Sequence, residues 1–178
     1  LAFCEAGSWR DCAARAIEAG DRKDNPALDA LVRQTIAEAD TCDRTAAATA
    51  RLLLSLAFIL AERPDDACAM FDKFNRVSGD EPLGFLTAFG WPVAAYVFTC
   101  LDEEDRLQDL LAQSREGGLG SDTVLQAIGV AEADTGDWDG LEARYGALPP
   151  IERVHLVCGV LRSLSAGADS PQGQRLRH

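Results

Sequence analysis

Residues 52–60 read Leu-Leu-Leu-Ser-Leu-Ala-Phe-Ile-Leu, and the turn sequence Arg-Pro-Asp-Asp follows at residues 63–66. A helix made from the first stretch is apolar on every side, so we expect several neighbours to bury it. Pro64 suits the first turn of the next helix, and the two aspartates favour the positive end of its dipole. The stretch therefore predicts a buried helix ending near Glu62, then a sharp turn and a second helix ending near Ser78.

The same alternation of helix and turn extends in both directions from this pair. Turns rich in glycine, proline or aspartate separate about nine segments whose apolar residues recur every three or four positions. The other predicted helices span roughly 8–19, 26–39, 82–100 with a kink at Pro92, 102–116, 121–134, 138–146 and 150–165. No segment alternates as a strand would, so the sequence predicts an all-α protein.

The chain has 178 residues, 47% of them apolar, and a formal net charge of -12. We interpret residues 1–166 as a single helical-repeat domain, with a fragment of a longer chain as the alternative, and residues 167–178 as a flexible polar tail. The excess of acidic residues disfavours nucleic acid and anionic membrane surfaces as partners. It suits a partner protein with a basic patch, although an acidic surface also serves solubility alone.

An uncharged stretch, residues 83–101, approaches the roughly 20 residues that span a bilayer. Gly84, Gly90 and Pro92 interrupt this stretch. Because the rest of the chain is polar enough to enclose such a segment, we expect a buried pair of helical segments here and no membrane span.

The six cysteines bear on the compartment. Three of them lie in apolar helical runs and are predicted core residues: Cys68, Cys100 and Cys158. The remaining three, Cys4, Cys12 and Cys42, are the candidates for a disulfide bridge, but they form no short-loop framework. A cytoplasmic location is therefore expected. The alternative is a secreted or periplasmic protein, because the sequence begins at Leu1 and a signal peptide is not observable.

Helices three to eight form three helix–turn–helix units between residues 49 and 149. Small and large apolar residues recur in them at matching distances from the turn. In the first unit these are Leu54-Ser55, Phe58, Ala67 and Phe71. In the second they are Trp91, Ala94-Ala95 and Phe98, with Leu107 at the place of Ala67. In the third they are Ile128-Gly129, Gly136-Asp137-Trp138 and Tyr145, with departures at Glu132 and Leu141. Gly7-Ser8-Trp9 repeats the third turn, which makes helix one the second helix of an earlier unit and predicts that both Trp9 and Trp138 are packed.

These units resemble tetratricopeptide repeats, which are helix–turn–helix units of about 34 residues. The resemblance implies a right-handed α-solenoid of antiparallel helix hairpins, whose first helices line a concave groove that receives a peptide or helix of a partner. It places the following residues in that groove: Phe89, Tyr96, Thr99, Thr123, Gln126 and Val130. The matching residues of helix three are too apolar for water, so helix two, helix nine or a partner should cover Leu52, Leu56, Ile59 and Leu60.

Familiar catalytic chemistry is missing from the sequence. His155 and His178 are the only histidines, and no cysteine or carboxylate lies four residues after His155 to make a ligand pair with it. The acidic run at residues 102–105 is interpreted as charge in the first turn of a helix, and residues 134–140 do not fit a calcium loop. We therefore expect no enzyme, no metal and no cofactor. The alternative function is a small-molecule-binding or sensory α-helical domain with a pocket around residues 90–92.

Overall fold

The structure is a computed structural model that describes residues 8–78, 90–116 and 120–168. Within these ranges all regular secondary structure is helical, as predicted. The helices are α1 (Ser8–Asp21), α2 (Asn25–Ala39), α3 (Arg44–Leu60), α4 (Pro64–Ser78), α5 (Trp91–Cys100), α6 (Glu104–Glu116), α7 (Ser121–Thr135), α8 (Trp138–Ala147) and α9 (Pro150–Ala168). Pro92 lies in the first turn of α5 and so does not kink it. No helix in the described ranges has both the length and the apolar character to cross a bilayer.

Four of the turns have the same backbone conformation. In each turn, the second residue before the next helix has a positive φ. The angles are 56° at Lys23, 57° at Glu62, 57° at Asp102 and 75° at Gly136. The residue that follows donates its backbone N–H to the carbonyl five positions earlier, at distances of 2.9 Å for Asp24, Arg63 and Glu103 and 3.0 Å for Asp137.

This hydrogen bond closes the end of a helix around a left-handed residue. The same turn therefore joins α1 to α2, α3 to α4, α5 to α6 and α7 to α8. This pairing makes α1 a first helix, whereas the sequence motif at residues 7–9 made it a second helix. Gly7 of that motif lies outside the described residues.

By contacts along the chain, the protein divides into two compact units, residues 1–93 and 94–178, and each is described by itself. In the first unit, α1 packs against α2 and α3, and α3 packs against α4. A Cβ on Gly20 would lie closer than 3.0 Å to the Ala57 carbonyl oxygen, so α1 and α3 approach closely there. The fully buried large side chains include Leu28, Leu52, Leu54, Phe71 and Phe74.

Helix α3 is covered by α4 and α1, with a smaller contribution from α2. The sequence analysis predicts that helix two, helix nine or a partner covers the apolar residues of helix three. Leu52 is buried, whereas Leu56, Ile59 and Leu60 remain partly exposed. Arg51 is buried on the same helix because its guanidinium donates to both carboxylate oxygens of Asp40, at 2.8 and 3.0 Å.

In the second unit, α7 packs extensively against α9 and makes smaller contacts with α6 and α8. The fully buried large side chains of this unit include Phe98, Leu107, Leu110, Leu125, Ile128 and Leu156. A Cβ on Gly129 would lie closer than 3.0 Å to the Leu156 carbonyl oxygen, and one on Gly159 would do the same at Gln126. The two glycines therefore let α7 and α9 pack backbone against backbone.

The cysteine predictions are corrected in part. Cys68 and Cys158 are exposed, so the expectation that they lie in the core is wrong, while Cys100 is half-buried. Both exposed thiols lie in apolar segments but on the outward side of their helices. Of the described bridge candidates, Cys12 is a buried free thiol and Cys42 is disulfide-bonded.

Candidate functional site

Helix α9 presents apolar side chains on two opposite sides. One side packs against α7 through Leu156, Gly159 and Val160, all of which are buried. The other side is exposed, with Ile151 at 68% and Leu161 at 56% of their full accessibility. Its residues recur at helical spacing: Ile151, Val154, Val157, Cys158, Leu161 and Leu164. We call this set the α9 outer face.

Exposed apolar residues that occur singly are normal, but a continuous stripe marks an interaction surface. A helix that is apolar on both sides is typically buried on both sides. The sequence contained this signal, because residues 150–165 are apolar at almost every turn. The sequence pattern alone predicts a helix that packs against others and does not distinguish a binding surface.

The predicted groove residues lie on α5 and α7, apart from Phe89, which is outside the described residues. The Tyr96 hydroxyl donates to Asp134 Oδ2 at 3.0 Å, and the Ser163 hydroxyl donates to the other carboxylate oxygen. Asp134 therefore joins α5, α7 and α9 at one point. Burial, with the neighbouring Cys100 and Asp134, raises the pKa of Tyr96 above its ordinary value.

The other predicted residues are less closely connected. Thr99 and Thr123 each donate a hydroxyl hydrogen bond to a backbone carbonyl three or four residues earlier, at 2.8 Å. Gln126 and Val130 are half-buried, and the Gln126 carbonyl contacts α9 beside Gly159. The structure thus brings Tyr96 to one end of the α7 line formed by residues 123, 126, 130 and 134, while Thr99 and Thr123 satisfy their hydroxyls locally.

The thiols of Cys100 and Cys12 are not activated. Burial raises the pKa of Cys100 to about 12, because desolvation penalises the thiolate more than the Tyr96 hydrogen bond favours it. Burial, helped by Glu38, also raises the pKa of Cys12. Since the thiolate is the nucleophile, both groups are protonated and unreactive near pH 7. Within the described ranges, no three His, Cys, Asp or Glu side chains cluster as metal ligands would.

A charged triad connects α6, α7 and α8. Arg144 donates to Glu132 at 2.7 Å through Nε and to both oxygens of Glu104 at 3.1 and 2.9 Å. Glu132 is 1% exposed, and its Oε2 has no hydrogen-bond partner among the described residues. Burial raises the pKa of Glu132 despite Arg144, whereas the hydrogen bond from Arg144 lowers the pKa of Glu104.

A cavity of about 490 Å³ lies between α6 and α8. Its lining includes the basic residues Arg115 and Arg144 and the acidic residues Asp102, Glu104 and Asp137. Its arginines are already paired, Arg144 as above and Arg115 with Glu152 at 2.5 Å, and Asp137 accepts from the Gly140 N–H at 3.0 Å. A ligand here would compete with hydrogen bonds that the protein makes to itself.

The aromatic residues of α8 are exposed, which corrects the prediction that Trp138 is packed. Trp138 is 50% exposed, while Trp9 is buried as predicted. No residue of α8 is buried. In the turn before α8, the carbonyl of Glu132 accepts the hydrogen bond that closes the turn. Phe58 and Phe98 occupy the same position in the turns before α4 and α6. Glu132 pairs with Arg144, and Tyr145 is exposed, with the Arg153 guanidinium over its ring at 5.1 Å from the centroid.

No protein-family model matches the chain, and no curated protein or solved structure is significantly similar to it.

Proposed function

We propose that this chain is a protein-interaction module that binds a helix or extended peptide of a partner protein. The observation that carries the proposal is the α9 outer face, an exposed apolar stripe on a helix whose opposite side is packed. Burying such a stripe on a partner would contribute about 25 cal/mol for each Å² of apolar surface removed from water. We assign no catalytic role to the chain.

We also propose that the helices form a right-handed α-solenoid of antiparallel hairpins resembling tetratricopeptide repeats. Four turns of one conformation support it, because repeated units are expected to repeat their turns. The close approach of α1 to α3 and of α7 to α9 also supports it, since the first helices of successive hairpins lie side by side in such a fold. The predicted groove on α5 and α7 is then a second candidate surface, joined to α9 through Asp134.

Affinity capture with variant chains tests the proposal. Leu161→Asp places a charge in the α9 outer face, and Ala14→Asp places the same charge on an exposed position of α1. We expect to capture a partner protein that the Ala14→Asp chain binds and the Leu161→Asp chain does not. Once purified, this partner should bind the purified wild-type chain. Equal capture by both variants would show that the α9 outer face is not the binding surface.

A third variant tests the predicted groove. The double substitution Tyr96→Ala and Gln126→Ala alters α5 and α7 without touching the α9 outer face. Loss of the partner in this variant alone would move the binding site to the groove. Equal loss in this variant and in Leu161→Asp would indicate that one partner spans both surfaces.

The second candidate function is small-molecule binding, which the cavity between α6 and α8 supports. Its size falls in the range of ligand pockets. Trp138 follows Asp137 of the cavity wall, so a ligand that enters should change tryptophan fluorescence. A panel of small charged metabolites tests this function, with Arg115→Met as the variant that removes one wall guanidinium.

A further inference from the structure

Helix α9 corresponds in position to the first helices of the other pairs. Gly20 of α1 lies three residues before Lys23 and contacts α3 at Ala57. Gly129 of α7 lies seven residues before Gly136 and contacts α9 at Leu156. Gly129 is therefore four residues, about one helical turn, farther from its own turn than Gly20 is. The two contacts are the same kind of helix packing, displaced by one turn.

We use this displacement to align α9 with α3. The contact residue on α3 is Ala57, and the residue one helical turn before it is Leu53. Leu156, the contact residue on α9, therefore corresponds to Leu53. With this alignment, four residues on one side of α3 match four residues of the α9 outer face. The pairs are Arg51 with Val154, Leu54 with Val157, Ser55 with Cys158, and Phe58 with Leu161. The four on α3 are buried, and the four on α9 are exposed.

The difference between the two faces has a simple origin. Helix α3 is followed by a turn and by α4, which packs against it. Within the described residues no second helix follows α9. The α9 outer face therefore corresponds to a side that is buried on α3 and that no second helix covers on α9 within the described residues.

The edges of this face are basic, although the chain as a whole is acidic. Arg153 neighbours Val157 along one edge, and Arg162 neighbours Cys158 along the other. Arg153 donates to the backbone carbonyls of Leu148 and Gly146, at 2.8 and 3.2 Å. The only carboxylate of α9 is that of Glu152, which is paired with Arg115 away from this face.

We propose that the α9 outer face receives an amphipathic helix of a partner protein, which takes the place of a second helix and carries Asp or Glu beside its apolar stripe. This inference rests on the proposed function and specifies its ligand. The buried residues of α4 supply the expected pattern, since Ala67, Met70, Phe71 and Phe74 recur at helical spacing. The overall charge of -12 repels an acidic partner during its approach. At physiological ionic strength, however, charges more than roughly 8 Å apart are largely screened, so the charges in contact decide between an acidic and a basic partner helix.

Two other occupants fit the charges less well. A second copy of α9 would bring the same two edge arginines and no carboxylate beside its apolar stripe, so it offers no opposite charge for Arg153 and Arg162 to pair with. An anionic membrane surface would meet only two edge arginines on a chain with a strong excess of acid, and such surfaces need a cluster of basic residues.

Two synthetic peptides test the inference on the full chain. Both are about 18 residues long, a length that can form a helix on binding. Both carry the α4 pattern Ala-x-x-Met-Phe-x-x-Phe, and the positions beside this stripe are Glu in one peptide and Lys in the other. Fluorescence anisotropy at physiological salt should give about ten-fold tighter binding for the Glu peptide, since each edge pair changes from repulsive to attractive.

Two variants assign the binding to the face and to its edge. Leu161→Asp should weaken both peptides by more than about ten-fold, whereas Arg162→Glu should weaken the Glu peptide and strengthen the Lys peptide. Ala14→Asp should bind as the wild type does.

The inference is overturned by a Lys peptide that binds as tightly as the Glu peptide, or by binding that Leu161→Asp leaves unchanged. Self-association of the wild type that Leu161→Asp abolishes would make a second copy the occupant, and tighter binding to vesicles of anionic lipid would make it a membrane. If neither peptide binds while affinity capture still depends on Leu161, this inference fails and the proposed function stands.

Discussion

Two glycines of the second unit differ in what surrounds them, and this difference predicts opposite effects of the same substitution. Gly159→Ala would place a methyl group closer than 3.0 Å to the Gln126 carbonyl oxygen, so α7 and α9 would have to separate. We expect a loss of about 1–3 kcal/mol in the free energy of unfolding, the usual range for overpacking. Urea denaturation measures it.

Gly146→Ala is the matched control. A Cβ at Gly146 meets nothing within 4 Å, and the residue lies inside α8. Alanine is favoured over glycine in a helix by about 1 kcal/mol, so this variant should be more stable than the wild type. Equal effects of the two substitutions would mean that the close approach of α7 and α9 is not present in solution.

Glu132 predicts a pH dependence at the scale of one residue. Because its pKa is raised in the folded protein from an ordinary value of 4.5, the folded state holds this proton more tightly than the unfolded state does. Its contribution to stability therefore falls as the pH rises above 4.5. Glu132→Gln removes the charge while keeping an oxygen that can accept from Arg144.

We expect Glu132→Gln to be more stable than the wild type at pH 7, with the difference shrinking towards pH 4.5. Urea denaturation of the two proteins at several pH values measures the difference. The comparison cancels the contributions of the other carboxylates to the pH dependence of stability, including that of Glu104, whose lowered pKa has the opposite effect. A variant less stable than the wild type by more than about 1 kcal/mol at pH 7 would show that the pairing with Arg144 outweighs the desolvation of Glu132.

At the scale of elements, α8 is the least anchored helix of the second unit. It buries no residue, and Arg144 joins it to α6 and α7 through the charged triad. We expect its amides to exchange hydrogen at least about ten-fold faster than those of the α7 centre, since local opening exposes little apolar surface. Hydrogen exchange with mass spectrometry measures the two rates.

Removing Arg144 tests what retains α8. In the Glu132→Gln background, which avoids leaving a buried carboxylate unpaired, Arg144→Met should raise exchange in α8 and leave α1 to α4 unchanged. Unchanged exchange in α8 would mean that the triad does not anchor this helix.

The same elements show how far sequence alone can predict the fold. Apolar spacing and turn residues predicted all nine described helices, and the predicted and observed ends mostly agree within two residues. The turn at Lys23 was not recognised as equivalent to that at Gly136, because Lys, Glu and Asp take the left-handed position in three of the four turns. Glycine is therefore a poor signal for this turn.

The candidate site was harder to predict for a related reason. Tyr145 matches the pattern that the sequence shares with tetratricopeptide repeats, yet it is exposed, and in the same unit Glu132 takes the position that Phe58 and Phe98 have in the other two. The apolar residues of α9 were visible in the sequence. Which of its two sides is covered depends on helices that pack from other parts of the chain, and spacing within α9 does not contain that information.

At the scale of the whole molecule, charge should control stability more than individual ion pairs do. The chain has 29 acidic and 17 basic residues, so the excess negative charges of the folded state repel one another. Salt screens this repulsion but also weakens exposed ion pairs such as Lys23 with Glu62, which contribute at most about 1 kcal/mol each. Since the acidic excess is large, we expect the melting temperature to rise by a few degrees between about 20 and 300 mM sodium chloride.

A charge-reduced variant separates screening from general effects of salt. Asp109 and Glu142 are exposed, and neither forms an ion pair within the described residues. Asp109→Asn combined with Glu142→Gln lowers the negative charge by two without altering the core. It should melt at a higher temperature at low salt and gain less from added salt than the wild type does. A melting temperature that falls with salt in the wild type would show that the ion pairs, including the triad at Arg144, outweigh the repulsion between like charges.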